Sequence, residues 1–390
     1  MVEQNASTIG DNNRIRLAPA STLYLEPVKR PGELRVTSEI DILDPDFQAV
    51  PLLGREQDLW FLRDWLGGGG IKVTALVGEG GSGKTRLAIE LLNWLDSTWQ
   101  GGFLSQAEAA RFPFHQNLAT WIWPRNTLVV VDYAAPMRAL LNAWLLQLAK
   151  SEAKTSLRIL LLERYASTKS GWFHSLTDGL YSSKEARGLL DPAHPRQIAP
   201  IVSLEHQRSV LESALEILST LKKGRAEAAN RVLRKLPQLP QANWFAKKLS
   251  LPQWSDPLLL LMAAIICHSG GVHDELDGSQ IGAAEGFSRD VEDALSMSRA
   301  QIAKKVAARE ASRLMRFGKN ETEKRILVHL YACVILCGQL NPEQSLPTFC
   351  TVLGAGVSLK PISEAGVGES GSAIGAALLD IARAPFICSR

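Results

Sequence analysis

The chain has 390 residues, enough for two or three domains with a core in each, and its 46% hydrophobic and 21% charged residues are the balance of a globular protein rather than a disordered or fibrous one. A formal net charge of +3 is too small to argue for a polyanionic partner, so nucleic acid is not indicated. No apolar run reaches the ~18–20 residues of a membrane span, MVEQNASTIGDNNRIR lacks the apolar core of a secretory signal, and five scattered cysteines make no disulfide framework; the expectation is a cytoplasmic protein with reduced thiols.

Residues 1–48 are polar, with scattered proline and asparagine and no sustained period, and read as an arm laid over another surface to which no chemistry is assigned. Ala49-Val50-Pro51-Leu52-Leu53-Gly54-Arg55-Glu56 follows, then an amphipathic helix from Gln57 to Leu66 and a flexible joint, Gly67 to Gly70. Ile71 to Val77 is β-rich, and Arg86 to Leu95 places apolar residues at helical spacing. The glycine-rich stretch between them, ending in Gly83-Lys84-Thr85, therefore stands in the strand–loop–helix context that a phosphate-binding loop requires. Glycines let successive N–H groups converge on one anion and the helix start adds positive dipole. Lys84 can bridge terminal phosphates, and the Thr85 hydroxyl can ligate Mg²⁺. Gly78, Glu79, Gly80, Gly81, Ser82, Gly83, Lys84, Thr85 and Arg86 are thus the expected nucleotide-binding set.

Gly102-Phe103-Leu104 opens a candidate second strand. Thr127 to Ala134 (TLVVVDYA) is a continuous apolar run closed by an acid, the pattern of a buried parallel strand. A carboxylate at its carboxyl end falls beside the phosphate loop, so Asp132 is expected to join Thr85 at the metal. Met137 to Lys150 reads as a helix and Leu157 to Arg164 as another buried strand with charges at its end, which implies a parallel sheet. Gly171-Trp172-Phe173-His174 reads as a loop whose aromatics pack.

From Ser203 onward the pattern is helical, with Ser203-Leu204-Glu205-His206 as a cap. Basic clusters at Lys222 to Lys235 and Arg299 to Arg316 read as solvated helix faces, because no aromatic residues interleave. Asp256-Pro257-Leu258-Leu259 opens an apolar helix. Cys267, His268 and His273 lack the paired spacing of a zinc site. Glu321 to Cys337 and Leu346 to Leu353 read as further helices. Gly366 to Gly371 follows no strand and reads as a loop, and no internal repeat is visible.

The apolar-Gly-Arg-Glu opening, the phosphate loop and the LVVVDYA strand together resemble the signal-transduction ATPases with numerous domains (STAND), relatives of the NB-ARC, NACHT and AAA+ proteins, over roughly residues 49 to 350. The resemblance implies that Arg55, Val50 and Leu53 close the adenine pocket, that Arg164 reports the γ-phosphate, and that Pro257 lies near the adenine at the entrance to a lid. It also implies a winged-helix domain, in which His329 occupies the region of a phosphate-touching histidine without a flanking motif to identify it. The sequence departs from AAA+ enzymes after Asp132, where a glutamate commonly polarises the attacking water and Tyr133 stands instead.

The expected fold is α/β, a P-loop NTPase parallel sheet domain (49–200) followed by an α-helical lid (201–290) and a helical, winged-helix-like domain (291–390). The expected function is an ATP/ADP-binding switch with slow hydrolysis, Mg²⁺ as cofactor, and a protein partner or homo-oligomer. Lys84, Asp132 and Arg164 are the expected catalytic residues. A motor that remodels DNA or protein, and a scaffold with structural nucleotide, are the alternatives.

Overall fold

A computed structural model describes residues 22–152, 154–181, 184–221, 236, 243–270 and 283–315. The expected winged helix, His329, the cluster from Lys222 to Lys235 and the loop from Gly366 to Gly371 lie outside the described residues.

The fold is α/β. Helix α1 (Glu56–Leu66) precedes β1 (Ile71–Val77), α2 (Lys84–Trp94), β2 (Trp99–Phe103), α3 (Gln106–His115), β3 (Asn126–Val131), α4 (Arg138–Leu148) and β4 (Leu157–Glu163). After α5 (Gly171–Tyr181) and α6 (Lys184–Arg187), the short β5 (Arg196–Gln197) completes a five-stranded parallel sheet in the order β2-β3-β4-β1-β5. The largely apolar central strands β1, β3 and β4 are buried on both faces, as a parallel sheet with helices on each side requires. Their residues alternate accordingly: Val129 and Val131 of β3 with Ile159 and Leu161 of β4 enter the core under α3 to α5, while Leu128, Val130, Leu160 and Leu162 enter the core under α1 and α2.

The second half is helical. Helices α7 (Leu204–Leu221), α8 (Asn243–Leu249), α9 (Pro257–Gly270), α10 (Ala283–Ser296) and α11 (Arg299–Met315) gather around the apolar α9, with Trp254, Leu260, Ala263 and Ala264 at the centre. Cys267 lies in this core, where burial pushes its thiol up to about 12 and leaves it inert as a nucleophile. No helix among the described residues is long and apolar enough to cross a membrane.

Two expectations change. Gly171 to His174 is not a loop but the first turn of α5. Gly171 turns the chain at φ 78°, and Phe173, Leu176 and Leu180 then bury at helical spacing, a period that the clustered aromatics disguise. The Gly67–Gly70 joint is not loose: fully buried Arg158, the second residue of β4, donates to the carbonyls of Trp65, Gly67, Gly68 and Gly70 and so closes the carboxyl end of α1. Residues of the amino-terminal arm pack on the helical half. Ile42 and Leu43, in a 3₁₀ turn (Glu39–Leu43), are buried in the helical core, and His268 of α9 meets Glu39 at 3.1 Å.

Candidate functional site

The loop after β1 is shaped by positions where only glycine fits. Gly81 and Gly83 take φ of 89° and 91°, in the left-handed region, and a Cβ at Gly78 would lie 2.3 Å from Ile198. Gly83 is the N-cap of α2 and supplies no side-chain cap, so the first-turn amides face outward for an anion. Lys84 is fully buried, its Nζ donating to the carbonyls of Gly78 (2.9 Å) and Glu79 (3.2 Å). Ser82 Oγ is buried with no hydrogen-bond partner among the described residues, an orphaned polar atom inside the cradle. The Glu79 side chain points to solvent.

The strand ends bring the second group of residues to this loop. Thr85 Oγ1 donates to Asp132 Oδ2 at 2.9 Å, joining a hydroxyl of α2 to the carboxylate that closes β3. Two hard oxygen donors at that separation fit Mg²⁺, which takes one or two protein oxygens and completes its shell with water and phosphate. Tyr133 follows at φ 53°, an uncommon conformation for a bulky residue, with its N–H on Asp132 Oδ1 at 2.9 Å. Glu163, at the end of β4, receives the N–H groups of Ala135 (3.0 Å) and Arg164 (2.7 Å), and so pins the two strand ends to each other. The Arg164 guanidinium lies over the loop, 3.6 Å from the position of a Cβ on Gly80.

Beside the loop is a cavity of about 120 Å³. Its floor is Gly81, Gly83, Lys84, Thr85 and Arg86. Its walls come from residues 42 to 53 and from Ile201, Val210, Pro257, Leu258 and Leu261. Arg55 is buried at its edge, donating to the carbonyls of Ala199 and Ser82 (the latter at 2.8 Å) with Asp58 3.8 Å away. Burial lowers the Arg55 pKa, and the charges of Asp58, Asp256 and Glu56 oppose that. Val50 and Leu53 line the cavity, as does Pro257, the first residue of α9. The structure therefore brings Arg55, the loop residues, Asp132, Arg164 and Pro257 to one region, with Glu79 turned outward.

Sequence reasoning missed several neighbours. Leu258, Leu261 and Ile201 line the cavity without any local signal, and so do Ile42, Leu43, Asp44, Pro45 and Gln48 from the arm. Asp44 caps a 3₁₀ turn (Pro45–Phe47), its Oδ1 accepting from Asp46 N at 2.9 Å. Its pKa is raised to about 6, mainly by burial, with the charges of Asp46 and Asp41 adding to the effect. Asp256 caps α9 by accepting from Leu258 N at 3.0 Å, and Arg299 of α11 pairs with it at 3.0 Å and with Glu79 of the loop at 3.8 Å. Burial raises the Asp256 pKa while Arg299 draws it back.

These features make the chain a P-loop NTPase-type α/β fold. No protein-family model matches the sequence, and no curated protein matches it. Among solved structures it is similar to Drosophila ORC bound to DNA, at 15% identity and a TM-score of 0.41 over 80% of this chain and 84% of that one. It is also similar to a Walker-type ATPase of Pyrococcus abyssi, at 15% identity and a TM-score of 0.32, over 85% and 97%. NtrX from Brucella abortus in complex with ATP gives 14% identity and 0.33 over 78% and 70%.

Proposed function

We propose that the protein is an ATP/ADP-binding switch of the STAND kind, in which the presence of a third phosphoryl group biases the position of the helical half. The observation that carries this reading is the cavity, floored by the phosphate loop and walled by Pro257, Leu258 and Leu261 of α9. A nucleotide there touches both halves at once, and a ligand shifts an equilibrium only by binding its two states differently.

Each residue has a task in this reading. Lys84 exchanges its two carbonyl acceptors for phosphate oxygens, a charge-assisted replacement of neutral bonds. Gly78 to Gly83 and the first amides of α2, Lys84 to Arg86, hold the remaining oxygens, and Ser82 Oγ gains a partner. Thr85 and Asp132 hold Mg²⁺, which when bound supplies charge neutralisation between the outer phosphates. Arg164, poised over Gly80, offers paired donors to a third phosphoryl group. Arg55 braces the loop by its Ser82 carbonyl, and Val50, Leu53 and Pro257 pack on the base. Tyr133 cannot accept a proton from water at neutral pH as a carboxylate could, so hydrolysis is slow and ATP persists long enough to signal. The output is a change of contact with a protein partner or with further copies of the chain.

The test identifies the nucleotide that copurifies, then measures oligomer mass and turnover with ADP and with a non-hydrolysable ATP analogue. The switch requires adenine nucleotide, a mass or shape difference between the two ligands, and turnover well below the ~1–10³ s⁻¹ of typical enzymes. Fast, substrate-stimulated turnover indicates a motor. A nucleotide that never exchanges indicates a scaffold.

A further inference from the structure

The cavity contains little that can read a base. Its walls are mostly aliphatic, and most of its polar side chains are already committed. Gln48 donates to Lys29 O (2.7 Å) and accepts from Asn93 Nδ2 (2.8 Å), Arg55 is held on two carbonyls, and Lys84 and Thr85 belong to the phosphate end. Arg86, at the phosphate-loop end, is paired through Nη1 with Glu90 at 2.7 Å, and its Nε is a donor without a hydrogen-bond partner among the described residues, where the amine of a base needs an acceptor. Asp44 differs. Its Oδ1 is fixed by Asp46 N, and no described residue donates to its Oδ2. The residue lines the cavity together with Leu43, Pro45 and Val50.

We infer that Asp44 is the specificity residue of the cavity, its free carboxylate oxygen accepting an N–H of the exocyclic amine of a 6-aminopurine. The inference rests on the nucleotide reading above and names what that reading leaves open, which group selects the base. One available acceptor matches the adenine amine. A 6-oxopurine in the same pose turns its own acceptor toward the carboxylate, and two desolvated acceptors facing each other penalise binding. A site built to receive a donor rejects the analogue lacking it far more strongly than an apolar pocket rejects a change of size.

Because the oxygen must be ionised to accept well, the preference also depends on pH. Burial first, then the charges of Asp46 and Asp41 in its own turns, hold protons on Asp44, while the Asp46 amide favours ionisation; Arg55, Lys84 and Arg86 are the cationic residues that line the same cavity.

The experiment is competition against a fluorescent ribose-labelled ADP, using the full chain with ATP, purine riboside triphosphate, ITP and GTP at pH 7.5. Expected is an advantage of about tenfold or more for ATP over purine riboside triphosphate and ITP, from one hydrogen bond to a charged acceptor. That advantage shrinks to within about threefold in Asp44→Ala, and Asp44→Asn, which keeps an acceptor for Asp46 N and adds a donor, moves the preference toward ITP. Equal affinity for ATP and purine riboside triphosphate in the unaltered protein overturns the inference, as does tighter binding of GTP. Failure of the labelled ADP to bind sinks the nucleotide reading itself, a distinct result. The analogue series on the unaltered chain stands even if a variant fails to fold.

Discussion

At the scale of single residues, the phosphate loop was legible because its chemistry is local: glycines, Lys84 and Thr85 lie within a few positions of one another, and the flanking strand and helix fix their directions. Asp44 was not legible. Asp44-Pro45-Asp46 looks like any turn, and only the fold makes it part of a cavity that Ile201, Val210 and Pro257 also line. The burial of Asp44 has a thermodynamic consequence. The folded pKa of about 6 exceeds the unfolded value of about 3.9, so between these pH values the folded state binds more protons than the unfolded one. Stability from this group therefore falls as pH rises from about 4 to about 6, and the deficit is complete above that. Asp44→Asn, measured without nucleotide by urea unfolding, is expected to stabilise the protein by about 1 kcal/mol at pH 7.5, a value discounted for partial exposure, and by almost nothing near pH 4. A gain of equal size at both pH values would show that titration of Asp44 is not its source. A residue that lowers stability at neutral pH yet lines the cavity is where a trade of stability for binding is expected.

At the scale of elements, the strands and most helices of the sheet half were legible from period and apolar runs, because a doubly covered parallel sheet writes itself as continuous aliphatic stretches. Connections between elements were less so. The Gly67–Gly70 stretch has the composition of a loose linker, and nothing near it in sequence announces that Arg158 clasps its carbonyls. A guanidinium suits that task because its donors are fixed in a fork, and here it satisfies the carboxyl end of α1 and the linker together. Arg158→Met leaves several buried carbonyls without donors, at about 1–3 kcal/mol each where water cannot reach them. The expected loss is about 3 kcal/mol or more in urea unfolding, and Arg158→Lys, with its three donors on one point, recovers less than half. Full recovery by lysine would mean that the charge matters and the fork does not.

At the scale of the whole molecule, the sheet and helical halves meet at the phosphate loop, where Gly81 is pressed against α9. A Cβ there would stand 2.8 Å from Asp256 Oδ1 and 2.9 Å from Leu258 Cβ. The sequence could not disclose this junction, since Arg299 belongs to a basic run that reads as a solvated face and Asp256 to a helix cap. Together they set the charge at the mouth of the loop. Asp256 places a mostly buried carboxylate beside Gly81, and Arg299 offsets it at 3.0 Å while also reaching Glu79. Arg299→Ala removes the offset and leaves a net negative group next to the anion site. ATP carries one more negative charge than ADP, so its affinity is expected to fall further, moving the ADP-to-ATP preference several-fold toward ADP. Because Arg299 is half exposed, the shift should diminish as salt rises from 0.05 to 0.5 M, over which the screening length falls from about 14 to about 4 Å. Titration with both nucleotides at both salt concentrations checks this. If the two affinities drop by the same factor at either salt, Arg299 acts by holding the halves in register, and the charge balance at Gly81 does not distinguish the ligands.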